Sequence, residues 1–205
     1  MRCSTNPRLL PGRVADTPTQ STTTQISYNA STGVPLSITV NGYADGQAQS
    51  RTVSFTEYTA HGQVKKIDGP RNDVSDLTVF AYYSDTDSNI FNRAMLHTVT
   101  DASGGVTDFA SYNYLGQPGQ ITDANGTITQ LGYDARGRLI SRSTNGKLTS
   151  YTYDKVGHLT EIIPPGLKNQ ITLSYTSADL IETVEDQLGN TLEFSYSMSQ
   201  FFILD

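Results

Sequence analysis

Tyr133-Asp134-Ala135-Arg136-Gly137-Arg138-Leu139 is followed 20 residues later by Tyr153-Asp154-Lys155-Val156-Gly157-His158-Leu159, a near copy of itself. Both carry a tyrosine, a glycine four residues on and an aliphatic side chain six residues on. Weaker versions stand at Tyr58 with Gly62 and Val64, and at Tyr112 with Gly116 and Pro118. At Tyr175, Asp179 takes the glycine place and Ile181 the aliphatic one. Tyr112, Tyr133, Tyr153, Tyr175 and Tyr196 are separated by 21, 20, 22 and 21 residues. Self-similarity at a fixed period is the signature of a repeat array, so function is sought in an assembled surface before any single catalytic cluster.

Each unit holds a second turn signal about halfway to the next tyrosine: Asp123-Ala124-Asn125-Gly126, Thr144-Asn145-Gly146, Pro164-Pro165-Gly166 and Asp186-Gln187-Leu188-Gly189-Asn190. Asn-Gly readily supplies the positive backbone angles of a tight hairpin turn. In the tyrosine-to-glycine turn, Asp134 and Asp154 are placed to accept a local backbone N–H, and Gly137 and Gly157 take a left-handed conformation without steric cost. The unit therefore reads strand, turn, strand, turn. Along the returning strands Leu131 and Tyr133, Tyr151 and Tyr153, Leu173 and Tyr175, and Phe194 and Tyr196 share one face. Alternation of this kind predicts half-buried antiparallel strands rather than helices. In the outgoing strands the apolar places fall six and nine residues after the tyrosine, as in Leu159 and Ile162 or Ile181 and Val184. A spacing of three requires either a bulge between them or opposite facing.

The expected fold class is all-β: an array of antiparallel β-hairpin repeats of about 21 residues forming a broad curved sheet. Tyr28 to Tyr58, Tyr58 to Tyr83 and Tyr83 to Tyr112 span 30, 25 and 29 residues, and longer turns around Asn41 to Ala48 and Ser84 to Asn92 are expected to absorb the difference. The domain plan is an N-terminal segment over 1–27, irregular in part or a diverged half-repeat, a repeat domain over 28–196, and a tail over 197–205.

The Tyr-Asp-x-x-Gly-x-Leu signature resembles the YD repeats of the bacterial RHS (rearrangement hot spot) proteins. The stretch from Tyr58 to Asp76 is similar to a diverged RHS repeat. In that family long hairpin arrays wind into a hollow shell around a C-terminal toxic domain. The resemblance implies a structural shell segment that encloses and shields a toxic cargo, within a parent protein supplying further repeats and the cargo. It also implies export or a cell-surface location for that parent. A second function class remains open, a surface recognition module that binds a glycan or protein partner through a face rich in Tyr, Thr and Ser.

Nothing in the sequence points to catalysis, a cofactor or a metal. Cys3 is alone, so no disulfide framework or cysteine metal cluster exists, and the three histidines lie far apart. Asp85-Thr86-Asp87-Ser88-Asn89 mimics the start of a calcium loop, but Ile90 stands where its glycine belongs. A net charge of −6 argues against nucleic acid as a partner, and Arg136, Arg138, Arg142 and Lys147 read as solvated repeat positions. The stretch Met1 to Pro7 lacks the apolar run of a secretory signal, so no signal peptide is expected in this chain, and no span reaches transmembrane length. The positions expected to matter are structural: Tyr58, Gly62, Tyr112, Gly116, Tyr133, Asp134, Gly137, Leu139, Tyr153, Asp154, Gly157, Leu159, Tyr175, Ile181 and Tyr196. An open array leaves unpaired edge strands, so self-association through the exposed edge is expected, or coverage by the tail that holds Phe201-Phe202-Ile203-Leu204. The plainer expectation is that this tail is the end of a piece of a larger protein.

Overall fold

The computed structural model describes residues 22–44, 47–166 and 170–196. The expected tail contact by Phe201 to Leu204 and the thiol of Cys3 lie outside them. Among the described residues there is no helix, and the strands are β1 (Thr23–Tyr28), β2 (Pro35–Ala44), β3 (Gln47–Tyr58), β4 (Val64–Asp68) and β5 (Thr78–Tyr82). They continue as β6 (Leu96–Thr100), β7 (Val106–Ala110), β8 (Gln120–Thr122), β9 (Ile128–Tyr133) and β10 (Leu139–Thr144). The last are β11 (Lys147–Tyr153), β12 (Leu159–Ile163), β13 (Ile171–Tyr175), β14 (Ile181–Asp186) and β15 (Thr191–Glu193). The sheet has 15 strands, hydrogen-bonded in chain order from β1 to β15. The chain clusters into two compact units, Met1–Val79 and Phe80–Asp205. In the first, β1 to β4 form a meander whose β2 and β3 pair from Ser37↔Ser54 to Ala44↔Gln47. The longer spacing after Tyr28 is thus absorbed by longer strands, since Asn41 to Ala44 are strand rather than turn. The longer spacing before Tyr112 does lie in a turn-rich segment between β5 and β6.

A bulge resolves the three-residue spacing of the outgoing strands. Tyr153 pairs with Leu159 and Tyr151 with Ile162, because the register shifts between Thr152 and Tyr153 and leaves Thr160 as the extra residue. The same shift brings Ile181 opposite Tyr175 and Val184 opposite Leu173, and Leu139 opposite Tyr133. One extra residue on one strand restores the two-residue alternation beyond it. The tyrosine and both aliphatic places therefore share a face.

Both kinds of turn are built alike. In the tyrosine turns the Asp134 amide donates to the Arg138 carbonyl and the Gly137 amide to the Asp134 carbonyl. Asp134 Oδ1 accepts the amides of Arg136 and Arg138 at 2.9 and 3.0 Å. Asp154 does the same for Gly157 and His158, and Asn113 for Leu115 and Gln117. Thr59 and Thr176 use a hydroxyl instead. At the far ends of the strands Asp101, Asp123 and Asp186 close matching loops. Asn145-Gly146 is built differently, its φ values of 50° and 75° making the two-residue hairpin that Asn-Gly favours.

These loops hold together an array that lacks a closed core. Among the described residues Tyr112, at 7% exposure, is alone in the buried class, and most apolar side chains are half-buried. Stability must come from strand pairing, turn closure and contacts between adjacent hairpins.

Two substitutions test the turn geometry in opposite directions. Gly137 has φ of 80°, and a Cβ there would meet Leu115 Cδ1 at 2.8 Å, so Gly137→Ala is expected to destabilise by roughly 1–2 kcal/mol. Asp179 sits at the equivalent place with φ of 61°, so Asp179→Gly is expected to stabilise by roughly 0.5–1 kcal/mol. Urea unfolding of the two variants against the parent chain measures both, and shifts of the same sign would refute the assignment.

Candidate functional site

The rings of Tyr133, Tyr153, Tyr175 and Tyr196 do not stack on one another, and each hydroxyl reaches into the hairpin before it, whereas the Tyr83 and Tyr112 rings meet edge to face with centroids 6.4 Å apart. The hydroxyl of Tyr133 donates to the Pro118 carbonyl at 3.2 Å, and that of Tyr153 to Leu139 at 3.0 Å. Tyr175 donates to Leu159 and Tyr196 to Ile181, both at 2.8 Å, and Tyr112 to Leu96 at 2.7 Å. In the first unit Tyr58 donates to the Pro35 carbonyl. The acceptor is in every case the residue that opens, or just precedes, the outgoing strand of the earlier hairpin. For Leu139, Leu159 and Ile181 it is also the aliphatic place six residues after a tyrosine. Those acceptors lie beside the bulge, where the ladder is locally interrupted and a carbonyl needs another donor. Tyr83 departs from the rule, donating to the Phe109 carbonyl at 3.0 Å with its ring stacked on His97.

What fills the space between successive tyrosines is the residue five places after each one. Arg138 lies over the Tyr153 ring, 4.5 Å from its centroid. His158 stacks on the Tyr175 ring at 4.4 Å. Each of these side chains is held from below by the turn aspartate, Arg138 Nη2 by Asp134 Oδ2 at 2.7 Å and His158 Nδ1 by Asp154 Oδ2 at 2.9 Å. Gln117 takes the same place one hairpin earlier, where its Nε2 donates to the Gly137 carbonyl at 2.8 Å. Reading the three histidines only as lying far apart in the sequence missed this role of His158. The signal was the pairing of Asp134 with Arg138 and of Asp154 with His158 at the same offset. A second row of contacts runs along the turn tips: the Tyr114 hydroxyl donates to the Ala135 carbonyl, and Arg136 Nη1 to the Lys155 carbonyl.

The structural positions named from sequence thus fall into three kinds of place. Tyr58, Tyr112, Tyr133, Tyr153, Tyr175 and Tyr196 are the donors, while Leu139, Leu159 and Ile181 supply acceptor carbonyls. Asp134 and Asp154 close turns, and Gly62, Gly116, Gly137 and Gly157 have φ between 75° and 120°. The basic stretch is divided: Arg136 and Arg138 are engaged in turns, whereas Arg142 and Lys147 flank a shallow depression with Thr144, Asn145, Thr149 and Pro165. The calcium-like segment uses Asp87 and Asn89 to cap local amides. Among the described residues no group of three or more His, Cys, Asp or Glu could hold a metal ion. Among the described residues no helix long and apolar enough to cross a membrane is present, which leaves strand-built membrane proteins aside.

The turn aspartates titrate below the usual carboxylate range because they accept hydrogen bonds. The Ser103 hydroxyl acts most strongly on Asp101, the Thr127 amide on Asp123, the Arg138 amide on Asp134, and the Asn190 side chain on Asp186. At Asp154 desolvation is the largest single influence and opposes the shift, but the amides of Gly157 and His158 together with the imidazole outweigh it.

Residues 112–147 and 133–166 match the RHS repeat family. Comparison with curated proteins returns no match. The TcdB2-TccC3-TEV crystal structure is similar in fold with a TM-score of 0.55 at 15% identity, over 81% of this chain and 10% of that chain. The Photorhabdus luminescens Tc holotoxin pore gives a TM-score of 0.40 at 14% identity, over 80% of this chain and 12% of that chain. The chain spans about a tenth of the length of the first of these structures.

Two measurements test the ladder. Tyr153→Phe removes the donor to Leu139 and is expected to destabilise by roughly 0.5–1.5 kcal/mol. Tyr153→Ala also loses the half-buried ring beneath Arg138 and should cost about 2–3 kcal/mol. A neutral Tyr153→Phe would mean that the hydroxyl contributes nothing to the fold. The second measurement is thermal melting as a function of pH. Because the folded-state values of the turn aspartates are depressed, their stabilisation is present above the unfolded value of about 3.9 and is lost as pH falls through the folded values. The melting temperature should hold steady from neutral pH down to about pH 5 and drop below about pH 4. Constancy down to pH 2 would contradict it.

Proposed function

We propose that this chain, whose residues 112–166 are RHS repeats, is a wall segment of an RHS-type shell that encloses and shields a toxic cargo in its parent protein. The observation that carries this is the directional brace between hairpins: each tyrosine hydroxyl locks onto the carbonyl of the preceding outgoing strand. A wall needs every hairpin tied to the next and no deep core. From Tyr112 to Tyr196 the successive hairpins, with their half-buried faces, have that property. In this reading residues 28–196 are the repeat domain, flanked in the parent by further repeats, and the structural positions named above are the ties of the wall.

For a recognition role of the sheet surface, a seat among the described residues is the shallow depression flanked by Arg142 and Lys147. Its cationic and hydroxyl lining suits an acidic glycan. Binding of acidic glycans by the isolated chain on an array, lost in an Arg142→Ala, Lys147→Ala variant, would favour that role over the wall.

Shielding is tested on the natural gene. The segment encoded after the repeats should resist protease in the intact parent and be cleaved rapidly when expressed alone; equal cleavage in both would refute the shell. The open edge gives a further expectation. The residues of β15 are all exposed, and Glu193 is its one charged side chain. Light scattering should find the isolated chain associated, or show that removal of residues 197–205 promotes association. Monomers in both cases would show that the edge is already protected.

A further inference from the structure

The hairpin of β2 and β3 runs past its neighbours. β2 pairs with β3 from Ser37↔Ser54 to Ala44↔Gln47, whereas β4 pairs with β3 only from Ser54↔Asp68 to Tyr58↔Val64. Residues 47–53 therefore line a free edge, seven residues long, with no described strand on that side. By comparison β11 overruns β12 by the three residues Lys147 to Thr149. Residues 47–52 are all exposed, and Arg51 is the one charged side chain along the edge. The stretch holds no proline, no carboxylate and no bulge, so it lacks the usual devices that keep an edge from pairing.

The register says which backbone groups that edge presents. Only two positions separate Ala44 from Gln47 in the chain, and strands joined over two residues close on a hydrogen-bonded pair. Bonded and non-bonded pairs alternate from there, so Gln47, Gln49, Arg51 and Val53 direct their N–H and C=O groups to β2. Ala48, Ser50 and Thr52 direct theirs outward, where no described residue bonds them. Turned about a two-fold axis, this edge matches itself. With Ser50 opposite Ser50 of a second copy, Ala48 meets that copy's Thr52 and Thr52 its Ala48, so every outward group is satisfied. A slip of two residues leaves one outward residue on each side unbonded, and a slip of one sets outward groups against inward ones. In the matched register Arg51 faces Gln49 of the second copy, so the one charge is never directly opposite its own kind. Beyond Thr23↔Asn41, where pairing with β1 ends, the hairpin is two strands wide, a width that is marginal in water by itself.

We propose that residues 47–53 are a docking edge for a second copy of this chain, paired antiparallel about a two-fold axis at Ser50, so that the β2–β3 hairpins of the two copies form one continuous four-stranded ribbon. The occupant is a second copy because the outward groups, their spacing and the placing of the single charge are self-complementary. The proposal rests on strand register, makes no use of shielding or cargo, and concerns a different edge from that of β15.

Sedimentation of the whole chain and of two kinds of variant tests it. The unaltered chain should form a reversible dimer. Ser50→Pro removes an outward N–H that β2 does not use, so the hairpin is kept, and the dimer dissociation constant should rise at least about tenfold. In a chain whose Cys3 is replaced by serine, Ser50→Cys sets two thiols on a directly opposed pair with Cα atoms about 5.5 Å apart, within reach of a disulfide. Gln47→Cys sets them about 20 Å apart. Mild oxidation should cross-link the Ser50→Cys chain into a covalent dimer and leave the Gln47→Cys chain uncross-linked, which decides the matter if Ser50→Pro does not fold. An unaltered chain that stays monomeric, a dimer that Ser50→Pro leaves equally tight, or equal cross-linking at positions 47 and 50 would overturn the proposal. Association at β15 would survive Ser50→Pro, and failure of pairing at β3 would leave the protease test of shielding untouched.

Discussion

The tyrosine hydroxyl that donates to a carbonyl of the preceding hairpin is the contact on which the array depends. The bulge in the outgoing strands β10, β12 and β14 does two things at once: it brings both aliphatic places onto the tyrosine face, and it interrupts the ladder next to the acceptor. A backbone carbonyl without a partner is costly in a partly desolvated setting. The next tyrosine supplies the donor and brings a large apolar ring to cover the bulge. Strand pairing alone would join hairpins along one line of hydrogen bonds; the tyrosine ties them a second time, between side chain and backbone.

The layer between rings shows how the array tolerates change. Arg138 and His158 differ in shape and charge, yet each is held by an aspartate four residues earlier and presents a flat group to the next tyrosine. Asn113 and Gln117 form an uncharged version at 3.1 Å. What the geometry needs is a turn-closing acceptor at one place and a planar side chain at the other. Asp179 marks the limit of this tolerance, since it keeps a left-handed conformation that glycine adopts without strain. Its carboxylate lies 3.4 Å from His158 Nε2, a contact no glycine would offer.

Electrostatics follow the same logic. The turn aspartates accept amides, and Asp134 and Asp154 also sit opposite Arg138 and His158 of their own turns. The arginines that look like a basic patch in the sequence are divided between turn braces and an open depression. Charge here mostly stabilises loops, which is the role expected of a structural repeat, and acid sensitivity is the consequence.

The sequence by itself determined the all-β class, the tyrosine-to-glycine turns and the Asn-Gly hairpin, because these depend on short-range geometry: alternation along a strand, positive φ, and a carboxylate two to four residues from an amide. It also narrowed the outgoing strands to a bulge or opposite facing, without choosing between them. Only the tertiary structure decided for the bulge, turned the extra residues between Tyr28 and Tyr58 into longer strands, and showed that Arg138 and His158 pack on the Tyr153 and Tyr175 rings. The partner of Tyr153 is the carbonyl of Leu139, and a backbone acceptor leaves no trace in residue identity. Contacts of that kind become visible once neighbouring hairpins are set side by side.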